Sequence, residues 1–362
     1  MRVLVVIGTR PEAIKMLPLV KELKKHKEIE TLVCFSKQHN TLAENVFDFF
    51  KIKPDYTFNA KNDFLNLKEM TINFLDFFDV IFKETSPDLI LTHGDTTTAF
   101  CASLSAFYSG IKVAHIEAGL RTHNPFSPFP EEFNRVAIDS VSTYHFAPTK
   151  VAAKNLLAEE RTSVFTVGNT GIDTLKYTID KAYKSPILNE AKNKKIILIT
   201  SHRRENLGSR LTSALLGIKD ALQHQNDVFA IFPAHPNPKV KNTVKNIFSD
   251  VKNIKISPPL PLYDFHNILS RAHLIISDSG GIQEEASYLG IPLFLLRDTT
   301  ERPECIECGN TKLIGTSKEQ VAQELSFALN NEECIKSMQK RSFAFGDGNA
   351  CEKIAKKLLS LC

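Results

Sequence analysis

The 362-residue chain lacks any apolar run approaching the roughly 20 residues that a membrane-spanning helix requires. Its N-terminal apolar stretch, in MRVLVVIGTR, is ended by Gly8 before it reaches the roughly 7 to 15 residues of a secretory h-region. A cytoplasmic protein is therefore expected. Cysteine is scarce, and its seven copies are odd in number and scattered, which in a reducing compartment argues against a disulfide framework. Cys305 and Cys308 form a C-x-x-C, but no second Cys/His pair stands at zinc-finger spacing and no thioredoxin-like context surrounds it, so the pair reads as coincidence. Charge of one sign is also missing. The 45 Lys and Arg against 41 Asp and Glu leave a net +4 spread along the chain, which gives no support for a nucleic-acid footprint and leaves room for a small anionic ligand. No G-x-G-x-x-G fingerprint points to NAD, and no paired His/acid motif points to a metal, so no cofactor of either kind is expected.

What is present is a globular composition, 43% hydrophobic and 24% charged, in a chain long enough for two domains of roughly 150 residues each. Short β-branched runs alternate with helical patterns: RVLVVIG, a helix through PLVKELKKH, TLVCFS, a helix from about Thr41, DLILTHG, a helix from about Thr97, and KVAHIE. The alternation then restarts with KKIILITS, VFAIFPAH, a helix near Lys239 to Phe248, IKISPP, HLIISDS, a helix, and PLFLLRD. Runs this apolar fit strands buried on both faces of a parallel, doubly wound sheet. The two halves also resemble each other as strand, polar turn, small-residue helix, strand and acidic loop. The expected fold is α/β, with two Rossmann-like domains and a ligand cleft between them. Their boundary falls near VGNTGIDTL, giving domains at 1–168 and 169–349, and a final helix over about 350–362 packs back on the first.

In such sheets ligands sit beyond the carboxyl ends of the strands, where the polar turns lie. DSGGIQEEA sets Ser279, Gly280 and Gly281 at the start of a helix, where unpaired N–H groups and the helix dipole favour an anion, although a tight capped turn has the same appearance. Arg10, Lys15, His202, Arg203, Arg204 and Arg302 also follow strand ends, and cations gathered this way suggest a diphosphate. Among the acids, Asp95 could cap the helix that follows it, and Glu117 and Glu131 could be ion-pair partners of Arg121 and Arg135. Yet Asp95 and Glu117 leave successive strand ends and converge on one crevice. Acids beside a diphosphate imply proton transfer next to a leaving group.

GTRPEAIKM, HGDTTT, HIEAGLRT, SPFPEEFNR, GNTGID, HRRE, DSGGIQEEA, RDTTERPE and FGDG follow one another from about Val3 to Gly348. In this order they resemble the signature segments of the non-hydrolysing UDP-N-acetylglucosamine 2-epimerases. The resemblance implies a GT-B fold, a homodimer, and reversible C2 epimerisation of UDP-N-acetylglucosamine to UDP-N-acetylmannosamine for surface polysaccharide. It implies Arg10, Lys15, Asp95, Glu117, Glu131, Arg135 and His202 around sugar and diphosphate. It also implies phosphate held at Ser279, Gly280 and Gly281, ribose hydroxyls on Glu285, uracil against Phe265, and further nucleotide contacts from Arg302. Two departures stand out. Leu260 occupies a position near the uracil where relatives commonly have Gln, so a contact there is expected from the main chain alone. QHNTL at 38–42 lacks the Arg of the QHRxM segment that helps some bacterial members bind a second, activating substrate molecule. A GT-B glycosyltransferase and a hydrolysing epimerase releasing free ManNAc are the alternative activities.

Overall fold

In a computed structural model, the structure describes residues 1–38, 41–58, 66–201, 208–234 and 237–361, which form two compact units. Met1–Lys176 and Phe345–Cys362 make the first, and Tyr177–Ala344 the second. The first holds β1 (Arg2–Ile7), β2 (Glu30–Phe35), β3 (Tyr56–Thr57), β4 (Leu89–His93), β5 (Lys112–Ile116), β6 (Tyr144–Ala147) and β7 (Val164–Thr166). Val3 to Ile7 and all five residues of β4 are buried, as strands covered on both faces must be. They lie at the centre of an all-parallel sheet of order β3-β2-β1-β4-β5-β6-β7. Val5 pairs with Val33 on one side and Leu91 on the other, and Leu91 pairs with Ala114. The crossovers diverge between β1 and β4, and that reversal opens a crevice at the carboxyl ends of these two strands.

One face of this sheet is closed by helix Leu67–Thr85. Its Phe74, Phe78 and Phe82 repeat every four residues, so they share a stripe, with ring centroids 6.4 and 5.8 Å apart in sequence. They pack on Leu4, Val6 and Ile90. Each fully buried ring contributes about 1.5 to 3 kcal/mol by removal from water.

The chain returns to this unit at its end. Helix Ala350–Leu359 leaves its first N–H groups without intrahelical partners, and Asp173 accepts them: Ala350 N donates at 3.1 Å and Cys351 N at 2.9 Å. Gly168 and Gly346 lie back to back. A Cβ on either would come within 2.8 or 2.9 Å of the other's Cα, and both have positive φ. Asn169 N donates to Phe345 O at 2.7 Å, and Thr174 Oγ1 donates to Ile14 O at 2.6 Å. These bonds keep residues 169–176 with the first unit, which runs to Lys176 and resumes at Phe345.

The second unit contains β8 (Lys195–Thr200), β9 (Val228–Pro233), β10 (Ile254–Ser257), β11 (Leu274–Ser277), β12 (Leu293–Leu295) and β13 (Thr311–Leu313). Its parallel sheet runs β10-β9-β8-β11-β12-β13, the same winding as six strands of the first. Here the reversal lies between β8 and β11, where Ile199 pairs with Ile276. No described helix is long and apolar enough to cross a membrane.

Candidate active site

The strands are too buried to carry exposed polar groups, so the chemistry gathers in the turns that follow them. After β1, Thr9 caps helix Arg10–Leu23 in a capping box with Glu12. Gly8 N donates to Glu12 Oε2 at 3.1 Å and Thr9 N at 2.7 Å, while Thr96 Oγ1 donates to Oε1 at 2.8 Å. Burial pushes the Glu12 carboxyl up to about 7, against the pull of these bonds. The cap sets Arg10 at the first helical position and brings Lys15 over the end of β5.

Glu117 follows β5 directly, in a left-handed backbone conformation with φ of 66°. Its Oε2 takes an ion pair from Lys15 Nζ and a hydrogen bond from Asn169 Nδ2 at 2.8 Å. His93, the last residue of β4, places Nε2 3.7 Å from the same oxygen, with no hydrogen-bond partner among the described residues. Burial holds the His93 ring down to about 3 despite the Glu117 charge, so the imidazole is neutral at pH 7.

Asp95 lies two residues past β4. Its carboxylate pairs with the Arg135 guanidinium, and Asn134 Nδ2 donates to its main-chain oxygen at 2.9 Å. It does not cap the next helix. Thr96 does, accepting from Ala99 N at 3.0 Å. Glu131 opens helix Glu131–Val141 with Arg135 one turn on, and Glu131 Oε2 is buried with no hydrogen-bond partner among the described residues. Arg135 binds Asp95 and lies 3.2 Å from Glu132 Oε2. Arg121 turns to Asp139 at 2.7 Å and Glu159 at 2.6 Å. Arg121 and Arg135 are thus paired with other acids, while Glu117 pairs with Lys15.

In the second unit, Ser279 precedes helix Gly280–Leu289 and makes no side-chain cap to its first N–H groups. Arg302 is buried there, its Nε 2.6 Å from Glu284 Oε1 and its Nη1 2.6 Å from Glu301 Oε1. The guanidinium lies so close to the helix that a Cβ on Gly280 would meet Nη1 at 2.7 Å, whereas a Cβ on Gly281 would meet no atom of the described residues within 4 Å. Glu285 is one turn further along. His266 Nε2 is 3.5 Å from Glu285 Oε1, and Glu285 Oε2 is buried with no hydrogen-bond partner among the described residues. Phe265 and Leu260 are partly buried against the same apolar cluster as Ile282 and Ala286.

His202, Arg203 and Arg204 lie outside the described residues, as do His39 and Asn40 of the QHNTL segment. Gln38 is described: its Oε1 accepts from Thr98 N at 3.0 Å and from Thr98 Oγ1 at 2.8 Å. Cys305 donates to Gln283 O and Cys308 to Cys305 O as free thiols. No group of ligands that could hold a metal occurs among the described residues. Sequence reasoning did not single out His93, Asn169 or Glu12, although all three lie inside segments it quoted, HGDTTT, GNTGID and GTRPEAIKM.

Comparison with known proteins adds to this geometry. Residues 21–359 match the family model described as UDP-N-acetylglucosamine 2-epimerase. The UDP-N-acetylglucosamine 2-epimerase of Bacillus subtilis is 45% identical over 361 residues, covering 99% of this chain and 95% of the relative. The crystal structure of the Neisseria meningitidis UDP-GlcNAc 2-epimerase bound to UDP-GlcNAc superposes with a TM-score of 0.93 at 40% identity, covering 99% of this chain and 100% of that one. The Methanocaldococcus jannaschii enzyme in complex with UDP-GlcNAc and UDP gives 0.84 at 33% identity, covering 99% and 100%. Two parallel sheets with interleaved helices and these likenesses make the fold GT-B-like. The chain belongs to the UDP-N-acetylglucosamine 2-epimerase family.

Proposed function

We propose that the protein works in the cytoplasm as a homodimer that interconverts UDP-N-acetylglucosamine and UDP-N-acetylmannosamine by elimination and re-addition of UDP, supplying surface polysaccharide synthesis. One observation carries this reading most: Asp95 and Glu117 leave neighbouring parallel strands, each beside its own cation, while a buried oxygen of Glu131 has no hydrogen-bond partner among the described residues. The C2–H of the sugar has no adjacent carbonyl, so direct abstraction would leave an unstabilised carbanion. Departure of UDP with the C1–O electron pair acidifies C2, and a carboxylate takes the proton to give 2-acetamidoglucal. Return of a proton to the opposite face of C2, with UDP adding again at C1, gives the epimer. Asp95, Glu117 and Glu131 are the proton carriers. Arg10, Lys15 and His202 balance the departing diphosphate, and Arg135 holds Asp95.

The second unit takes the nucleotide. Ser279, Gly280 and Gly281 bind phosphate at the helix start, Glu285 accepts from the ribose hydroxyls, Phe265 lies against uracil, Leu260 contributes main-chain contact, and Arg302 completes the contacts. We infer that the homodimer forms on the apolar groove of about 400 Å³ lined by Phe100, Leu104, Phe133, Val136 and Val141, on whose helix Thr97–Tyr108 Phe107 and Tyr108 are also exposed. Phe133→Asp should give monomers in sedimentation.

Proton NMR of pure protein with UDP-N-acetylglucosamine tests the reading directly. C2 inversion without net loss of nucleotide is the expected spectrum. An unchanged C2 with transfer to an added acceptor would make the protein a glycosyltransferase, and accumulation of free ManNAc and UDP would make it a hydrolysing epimerase.

A further inference from the structure

Beneath the turns that carry Asp95 and Glu117 lies a buried pair with no role in the scheme above. His115 in β5 and Asp139 in helix Glu131–Val141 are both 0% exposed. His115 Nδ1 is 2.6 Å from Asp139 Oδ1, and Nε2 is 2.7 Å from Gly94 O. A carbonyl oxygen can only accept, so Nε2 carries a hydrogen and donates it to Gly94. The other carboxylate oxygen of Asp139 accepts from Gly119 N at 3.3 Å and from Arg121 Nη2 at 2.7 Å. Asp139 therefore grips the turn after β5 directly and the turn after β4 through His115.

Both turns need such a grip. Gly94 has φ of 64° and Glu117 φ of 66°, and for Glu117 this left-handed conformation is disfavoured unless its surroundings enforce it. Burial works against the Asp139 charge, but His115 and Arg121 outweigh it and hold the carboxyl down to about 2, so it stays an acceptor. The same helix supplies Asn134 and Arg135, which fix the main chain and side chain of Asp95.

We propose that Asp139 and His115 are positioning residues of the epimerisation: together they fix the Gly94–Asp95 turn against the Glu117–Gly119 turn, and so set the placement of one acid relative to the other. The proposal rests on the reading of Asp95 and Glu117 as proton carriers. Neither buried residue meets substrate. Both act through main-chain groups, and a misplacement of about 1 Å at a reacting centre costs about 10²-fold in rate.

The test compares His115→Leu, His115→Gln and Asp139→Asn with the wild type in kcat, KM, UDP affinity and thermal stability. His115→Leu and Asp139→Asn should lose about 10²-fold in kcat with KM and UDP affinity within about twofold. His115→Gln keeps a side-chain N–H for Gly94 and should recover at least about tenfold over Leu at equal stability. A His115→Leu kcat within twofold of wild type, or a loss that follows stability with no recovery by Gln, overturns the proposal. If the Leu and Asn variants do not fold, NMR of the wild type decides: a protected Nε2–H on His115 is expected, and a ring whose Nε2 bears no hydrogen overturns it. Asp95→Asn and Glu117→Gln run in parallel. Full turnover in both removes the acid assignment itself, whereas their loss beside an active His115→Leu removes only the positioning role.

Discussion

Two adjacent glycines at one helix start should respond in opposite ways to the same methyl group. At Gly280 a Cβ would lie 2.7 Å from Arg302 Nη1 and 2.9 Å from its Cζ. The guanidinium cannot swing away cheaply, since Glu284 and Glu301 each hold it at 2.6 Å and its side chain is 8% exposed. Gly280→Ala must therefore shift the helix start or loosen a buried ion pair. Overpacking of this kind costs about 1 to 3 kcal/mol, and full loss of a buried pair's partner about 3 to 5 kcal/mol, so about 2 to 3 kcal/mol is expected. At Gly281 the added methyl meets no atom of the described residues within 4 Å. Alanine is the better helix former by up to about 1 kcal/mol, so Gly281→Ala should leave the free protein as stable as wild type or slightly more so. If phosphate approaches that open side, the same variant should weaken UDP binding. Thermal unfolding with and without UDP separates the two effects: a lower midpoint without ligand for Gly280→Ala, and a reduced UDP-induced rise for Gly281→Ala. A Gly280→Ala protein of wild-type stability would refute the packing argument, and a full UDP shift in Gly281→Ala would remove phosphate from this helix start.

Other outcomes follow from the same contacts. Phe78→Ala should cost about 3 to 5 kcal/mol in denaturant unfolding, since the ring is wholly buried between Phe74 and Phe82. Asp173→Ala removes the acceptor for the first N–H groups of helix Ala350–Leu359 and should cost about 0.5 to 2 kcal/mol, with faster amide exchange confined to that helix and its contacts. Glu12 has its folded-state pKa raised from 4.5 to about 7, so the folded state holds this proton more tightly than the unfolded chain. Its stabilising contribution is present below about pH 4.5 and is lost as pH rises through 7, a swing of about 3 kcal/mol. Wild type should accordingly lose about 3 kcal/mol of stability relative to Glu12→Gln between pH 4.5 and 8, and a constant difference would contradict the shift.

The central strands were legible because burial on both faces leaves an unbroken apolar run: RVLVVI, DLILTH and HLIISDS each mark a strand to within a residue or two. Tyr56–Thr57, Val164–Thr166 and Thr311–Leu313 were not, since two or three residues at a sheet edge carry no periodicity. VGNTGIDTL was visible as a turn, but the pull of residues 169–176 toward the first unit depends on Asp173 meeting a helix nearly 180 residues later. Asp95, Glu117 and Glu131 could be named as acids at strand and helix ends. Their cations could not be assigned, because Lys15 with Glu117 and Arg135 with Asp95 are pairings across the sheet rather than along the chain. Buried groups such as His115, Asp139 and Glu284 gave no sign at all, since polar residues within apolar patterns look alike whether they face water or a partner.

The most direct measurement is the fate of the C2 hydrogen when the enzyme works in D₂O on UDP-N-acetylglucosamine. Elimination through 2-acetamidoglucal hands the proton to carboxyls that exchange with solvent, so the UDP-N-acetylmannosamine formed should carry deuterium at C2. In Glu117→Gln and Glu131→Gln, turnover should fall by about 10² to 10⁴, the range for general acid–base catalysis. Epimer that keeps its original C2 hydrogen, formed at an undiminished rate by both Gln variants, would contradict the account.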